Sequence, residues 1–207
     1  SPAAPERRRE LDFALGASLR SRRLSHVHVL TERAFDLQHI VDASRDGDAA
    51  ASSERCWPRL VTRVLGRRLS FGDAFAYAAE ALAGDIVVVA NADVFLEDWT
   101  LARLGVTTTS DFEDGVSMDG HVFALTRWDW HCELFLRDEA GEQRSLAAVL
   151  RATDEPASRA RCARFVPRVD SQDAWLFRAP LVPRLTTSLL TDADASASAT
   201  AKDGPPR

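Results

Sequence analysis

The sequence predicts an α/β fold with a largely parallel sheet. Three observations carry that expectation. Helical stripes of apolar residues alternate along the chain with short strand-like runs. The strongest run, Ile86-Val-Val-Val89, puts four β-branched residues between polar neighbours, the pattern of a strand covered on both faces. The composition, 45 % hydrophobic and 28 % charged over 207 residues, is that of a globular chain able to bury a core without staples.

Residues 6–20 read as the first helix, with Leu11, Ala14, Leu15 and Leu19 at three- and four-residue spacing. His26-Val-His-Val-Leu30 reads as a strand whose histidines form an exposed face. Residues 42–55 hold no large apolar side chain and read as a surface insertion. A second strand is expected over 60–65. A helix follows over 71–82 with Phe71, Ala74, Phe75 and Ala78 on one face, and Gly84 stands just past its end. After the Ile/Val strand come a short helix over 97–104 and a strand over 122–126, with 133–136 as its partner. Residues 138–161 are polar apart from an apolar stretch at 146–150, and 174–177 form a last strand. From residue 191 no apolar side chain is larger than alanine, which reads as a disordered tail after a domain over 1–190.

Charge and cysteine content exclude more than they assign. Of 26 basic residues only Lys202 is a lysine, against 31 acidic residues and a net charge of −5. The arginines are scattered among acids and accompany an alanine excess, as GC-rich coding produces. An acidic balance without a basic face argues against nucleic acid. No apolar run approaches the roughly 20 residues of a membrane span, and no apolar leader is visible. Cys56, Cys132 and Cys162 are far apart and have no zinc-like spacing, so they do not fix the redox compartment.

The residues that promise chemistry follow the central strand. In Val87-Val-Val-Ala-Asn-Ala-Asp93, strand alternation would point Asn91 and Asp93 the same way, beyond a carboxyl strand end where α/β proteins bind ligands. Two such oxygen ligands suit a hard divalent cation that keeps positions open for phosphate oxygens. The alternative is that both side chains cap the next turn.

The segment Asp85-Ile-Val-Val-Val-Ala-Asn-Ala-Asp-Val-Phe-Leu resembles the strand and DxD-like motif of GT-A type glycosyltransferases. Four further segments, in order, resemble one glycosyltransferase-like branch of that superfamily: His26-Val-His-Val-Leu-Thr-Glu32, Gly66-Arg-Arg-Leu-Ser-Phe-Gly-Asp-Ala-Phe-Ala-Tyr-Ala-Ala79, Val122-Phe-Ala-Leu-Thr-Arg-Trp-Asp129, and Asp170-Ser-Gln-Asp-Ala-Trp-Leu-Phe177. The resemblance covers about residues 6–182, with insertions at about 42–55 and 138–163. It implies a GT-A-like, Rossmann-like, mostly parallel sheet flanked by helices. The family's first strand has no counterpart here, and its terminal segment after the last motif is replaced by Pro180-Leu-Val-Pro183 and the tail.

The function implied is metal-dependent transfer of a sugar, of the hexosyltransferase type, from a nucleotide-sugar donor to a glycan or small-molecule acceptor. Asp93 would hold Mn²⁺ or Mg²⁺, with Asn91 where a typical motif has its first carboxylate. Arg67 and Arg68 would lie near the donor phosphates, with an Arg67–Asp73 ion pair as the alternative. Arg127, followed by Asp129 at the end of the next strand, would assist the leaving diphosphate, or pair with Asp129 or Asp173. Asp173 would be the catalytic base, or a cap of the element carrying Trp175. Trp128, Trp130 and Trp175 would pack in the core or stack on sugars, and His131 is a weaker third ligand. The rivals are an inactive glycan-binding or scaffolding module and a metal-dependent phosphohydrolase or nucleotidyltransferase. The compartment stays open between cytoplasm and, for a eukaryotic fragment, the Golgi lumen.

Overall fold

The computed structural model describes residues 5–46, 58–103, 121–125, 129–130, 142, 144–153, 163–164 and 173–180. The described elements are α1 (Pro5–Leu19), β1 (His26–Thr31), α2 (Gln38–Arg45), β2 (Arg59–Val64), α3 (Phe71–Ala81), β3 (Ile86–Ala90), α4 (Asp98–Arg103), β4 (Val122–Leu125), β5 (Asp129–Trp130), α5 (Leu146–Thr153), β6 (Ala163–Arg164) and β7 (Ala174–Arg178). The chain is mixed α/β. Among the described residues no helix is long and apolar enough to cross a membrane.

The expectation of a largely parallel sheet is corrected. β1 and β2 pair in parallel, from His26 opposite Arg59 to Thr31 opposite Val64. β7 lies between β3 and β4 and is antiparallel to both, with Ala174 opposite Ala90 and Leu125. β5 and β6 form a short antiparallel pair. Periodicity reports which residues are covered but not the direction of the neighbouring strand, so an Ile/Val run cannot tell a parallel partner from an antiparallel one.

β3 is also less symmetric than its sequence. Val87 and Val89 are buried against Phe75, Ala78, Phe177 and Ala179, whereas Ile86 and Val88 are half-buried. Trp175 packs edge-on to Phe71 and Phe75, with ring centroids 4.5 and 6.0 Å away, which bears out its core reading. Trp128 lies outside the described residues, as does the Trp130 side chain.

α3 starts at a capping box. The Ser70 hydroxyl accepts from the Asp73 amide, and the Asp73 carboxylate accepts from the Ser70 amide. The helix ends before Gly84, whose φ of +92° is left-handed and whose N–H donates to the Ala179 carbonyl. Phe71, expected on the buried stripe, is 42 % exposed.

Two expected insertions contain packed helix. Residues 42–45 belong to α2, where Ile40 and Ser44 are buried. The small residues there allow close approach, and Arg20 Nη1 donates to the Ser44 carbonyl at 2.8 Å. The apolar stretch at 146–150 opens α5, whose Leu150 is fully buried against α1 and α2. Gly16 of α1 permits that packing, because a Cβ there would lie 2.8 Å from Leu150 Cδ1. The expected strand at 133–136, most of the remainder of both insertions, the three cysteines, His131 and the tail lie outside the described residues.

The segment after β3 runs back along α1. Asp93 meets Arg7 near the helix's amino end, Phe95 contacts Phe13 edge-on at 5.2 Å, and Asp98 accepts from Ser21 at the carboxyl end. β1 leaves that same carboxyl end through a short connection. Between these two strands lies a cleft of about 1060 Å³, with α1 on one side and α3 on the other.

Candidate functional site

β3 ends at Ala90, and the next three residues turn, with the Val94 amide donating to the Asn91 carbonyl at 3.1 Å. Strand alternation therefore stops before the two candidate ligands. Asn91 and Asp93 do not extend from one strand face but engage different partners, which corrects the expectation drawn from spacing.

Asn91 is held by β7's entry. Its backbone N–H donates to the Asp173 carbonyl at 3.0 Å, and its Nδ2 donates to Asp173 Oδ1 at 3.0 Å. The antiparallel register brings them together, because Ala90 opposite Ala174 makes Asn91 and Asp173 the next pair. The candidate ligand and candidate base are thus neighbours across 82 residues of chain.

Asp93 has a partner that the sequence reading missed. Arg7 Nη1 donates to its Oδ2 at 2.9 Å while also donating to Glu10 Oε2 at 2.8 Å. Asp93 Oδ1 is buried and has no hydrogen-bond partner. The only sequence signal was the Arg7-Arg8-Arg9 run, and nothing in it specifies a contact 86 residues away.

Arg67 is turned to Asp73, its Nη1 donating to Oδ2 at 2.9 Å and its Nη2 to Oδ1. The ion-pair alternative therefore describes Arg67. Partial burial works against the charged Asp73 carboxylate. Donation from the Ser70 amide, Arg67 and the Ser70 hydroxyl prevails and holds its pKa below the usual 3.8. Arg68 is exposed beside it. Arg127 lies outside the described residues. So does the Asp129 side chain, while its backbone pairs with Arg164 in β5–β6.

Around the carboxyl ends of β1 and β3, Phe35, Leu69 and Phe71 give the cleft an apolar rim, each between 41 and 54 % exposed. His28, expected on an exposed face, is half-buried, with Nδ1 2.8 Å from the Tyr77 hydroxyl. Burial, and then the neighbouring His26, push its imidazole below the usual 6.5, while Asp85 acts in the other direction.

Among the described residues no three His, Cys, Asp or Glu side chains cluster as a metal site. Two oxygens at the turn have the chemistry of hard-cation ligands. Asp93 Oδ1 is a buried carboxylate oxygen lacking a donor, and Asn91, donating through its nitrogen, keeps an amide oxygen for coordination. No family model matches the chain, and neither a curated protein nor a solved structure matches it.

Proposed function

We propose that the chain is a metal-dependent, GT-A-like glycosyltransferase domain holding a nucleotide-sugar donor at the carboxyl end of β3. The observation that carries this reading is the Asn91–Asp173 pair at a strand end beside a deep cleft. Asp93 and Asn91 would hold Mn²⁺ or Mg²⁺, which when bound supplies charge to offset that of a leaving diphosphate. Asp173 would take the proton of the attacking acceptor hydroxyl, oriented by the amide of Asn91. Arg127 would donate to the departing phosphate oxygens, with Arg68 available at the rim. The apolar rim of Phe35, Leu69 and Phe71 suits the flat face of a nucleobase.

Calorimetric titration with UDP-sugars and GDP-sugars, with and without Mn²⁺, tests the reading. Metal-dependent binding that is lost in Asp93→Ala is expected. Absence of any nucleotide binding, or binding unchanged in that variant, overturns it.

A second reading is a glycan-binding or scaffolding relative without transfer. The Arg7–Asp93 ion pair and the amide at position 91 favour it, since both lower the negative charge offered to a cation. Glycan binding without nucleotide, and without donor hydrolysis, identifies that case.

A further inference from the structure

The tetrapeptide Arg-Arg-Leu-Ser occurs twice, as Arg22-Arg23-Leu24-Ser25 and as Arg67-Arg68-Leu69-Ser70. Two guanidinium groups at the third and second positions before a serine suit the acidic groove of a basophilic serine kinase, where carboxylates accept from each fork. The second copy also has an apolar residue, Phe71, directly after its serine, where the first has His26. Both serines are exposed, so side-chain exposure does not separate the two copies. The backbone does.

The first copy is tied down along its length. The Arg22 N–H donates to both oxygens of the Asp98 carboxylate, at 3.1 and 3.0 Å, and the Arg23 N–H donates to the Ser21 hydroxyl at 3.2 Å. The Ser25 carbonyl accepts from the Arg59 amide at 2.9 Å, where β2 joins β1. A kinase that reads this copy as extended chain must first break these bonds. The second copy spans the connection from β2 to α3. Residues 66–71 are all exposed, and among the described residues no hydrogen bond holds the backbone of 66–69. Ser70 itself is already extended, with φ −114° and ψ 162°. The Arg67 side chain is 65 % exposed.

We propose that Ser70 is a phosphorylation site for a basophilic, ATP-dependent serine kinase, and that its phosphate takes Arg67 away from Asp73. In the transfer, Ser70 Oγ bonds to the γ-phosphorus of ATP. The bond from that phosphorus to the bridging oxygen of ADP breaks, and the hydroxyl proton passes to the kinase's carboxylate base. The ester oxygen then has no proton to donate to Asp73 Oδ2, which Ser70 Oγ now reaches at 2.8 Å. The phosphate brings nearly two negative charges and three acceptor oxygens beside that carboxylate. Arg67, bonded to both oxygens of Asp73, is thereby offered the more highly charged anion, and Arg68 stands exposed next to it. The capping box of α3 loses two of the donors that hold Asp73. This inference is independent of donor binding.

The test incubates the 207-residue chain with Mg-ATP and the catalytic subunit of a cyclic-AMP-dependent protein kinase, and maps phosphate by mass spectrometry. Synthetic peptides covering 19–29 and 64–74 give the intrinsic preference between the two serines. The expected result is one phosphate per chain on Ser70, with a preference over Ser25 about tenfold or more above that of the peptides. Arg67→Ala and Arg68→Ala should each slow labelling of Ser70 by about tenfold, the loss of one charge-assisted contact. In the phosphorylated chain the Asp73 carboxyl, followed by carbon NMR, should titrate at clearly higher pH than in the parent. Labelling of peptide 64–74 without labelling of Ser70 in the chain overturns the site. Labelling of Ser25 and Ser70 in the peptides' own ratio overturns the selection by the fold. Unchanged labelling in both arginine variants overturns the recognition, and an unmoved Asp73 titration overturns the exchange of Arg67.

Discussion

Asn91 and Asp173 are joined twice at the end of β3, by a backbone bond and a side-chain bond, each of 3.0 Å. The second is a neutral amide donating to a carboxylate, so the pair carries one negative charge where two carboxylates would repel. Asn91→Asp replaces that bond with a like-charge contact, which raises one carboxyl's pKa and is expected to cost about 1–2 kcal/mol at neutral pH. Thermal melts with and without Mn²⁺ check this. The variant should melt lower than the parent without metal and recover more than the parent when metal is added.

Arg7→Ala separates the ion pair from the cation site. The Arg7 side chain is 48 % exposed, so its loss should change stability by only about 0–1 kcal/mol. Release of Asp93 should raise Mn²⁺ affinity several-fold in a calorimetric titration. Unchanged affinity would mean that Arg7 does not compete with a cation at Asp93.

His28 gives folding a dependence on mild acid. Its folded-state pKa is lowered, so below the unfolded value near 6.5 the unfolded chain binds protons that the folded chain resists. The His28 contribution is therefore complete above pH 6.5, declines as pH falls through the folded-state pKa, and then levels. The groups facing the ring are His26, Tyr77 and Asp85. Urea unfolding between pH 8 and pH 5 should show the decline, and His28→Gln should flatten it.

Gly16→Ala tests the contact of α1 with α5. Alanine adds about 1 kcal/mol of helix propensity. Its methyl, however, meets Leu150 Cδ1 at 2.8 Å and Cδ2 at 3.3 Å in a fully buried site, and overpacking costs about 1–3 kcal/mol. A net loss of about 1 kcal/mol is expected in chemical denaturation. Combined with Leu150→Ala, the glycine substitution should cost less than it does alone, since the clash is gone.

The strand and helix positions were legible because local periodicity and turn chemistry determine them. The runs at β1, β2, β3, β4 and β7, the bounds of α1 and α3, and Gly84 beyond α3 stand within a residue or two of where the sequence puts them. α2 and α5 were not legible as packed helices. They are short, and small or polar residues such as Ser44 fill contacts that hydropathy scores as surface.

The sequence by itself determined an α/β chain with a polar turn, Asn-Ala-Asp, after its most apolar strand. Only the tertiary structure decided that β7 returns antiparallel beside β3 and sets Asp173 against Asn91, and that Arg7 reaches Asp93 from another helix. It also decided that β1 and β3 stand apart around a cleft. The physical reason is common to all three. Hydrophobic pattern encodes which face of an element is covered, whereas strand direction, register and ion-pair partners depend on backbone pairing between segments distant in the chain.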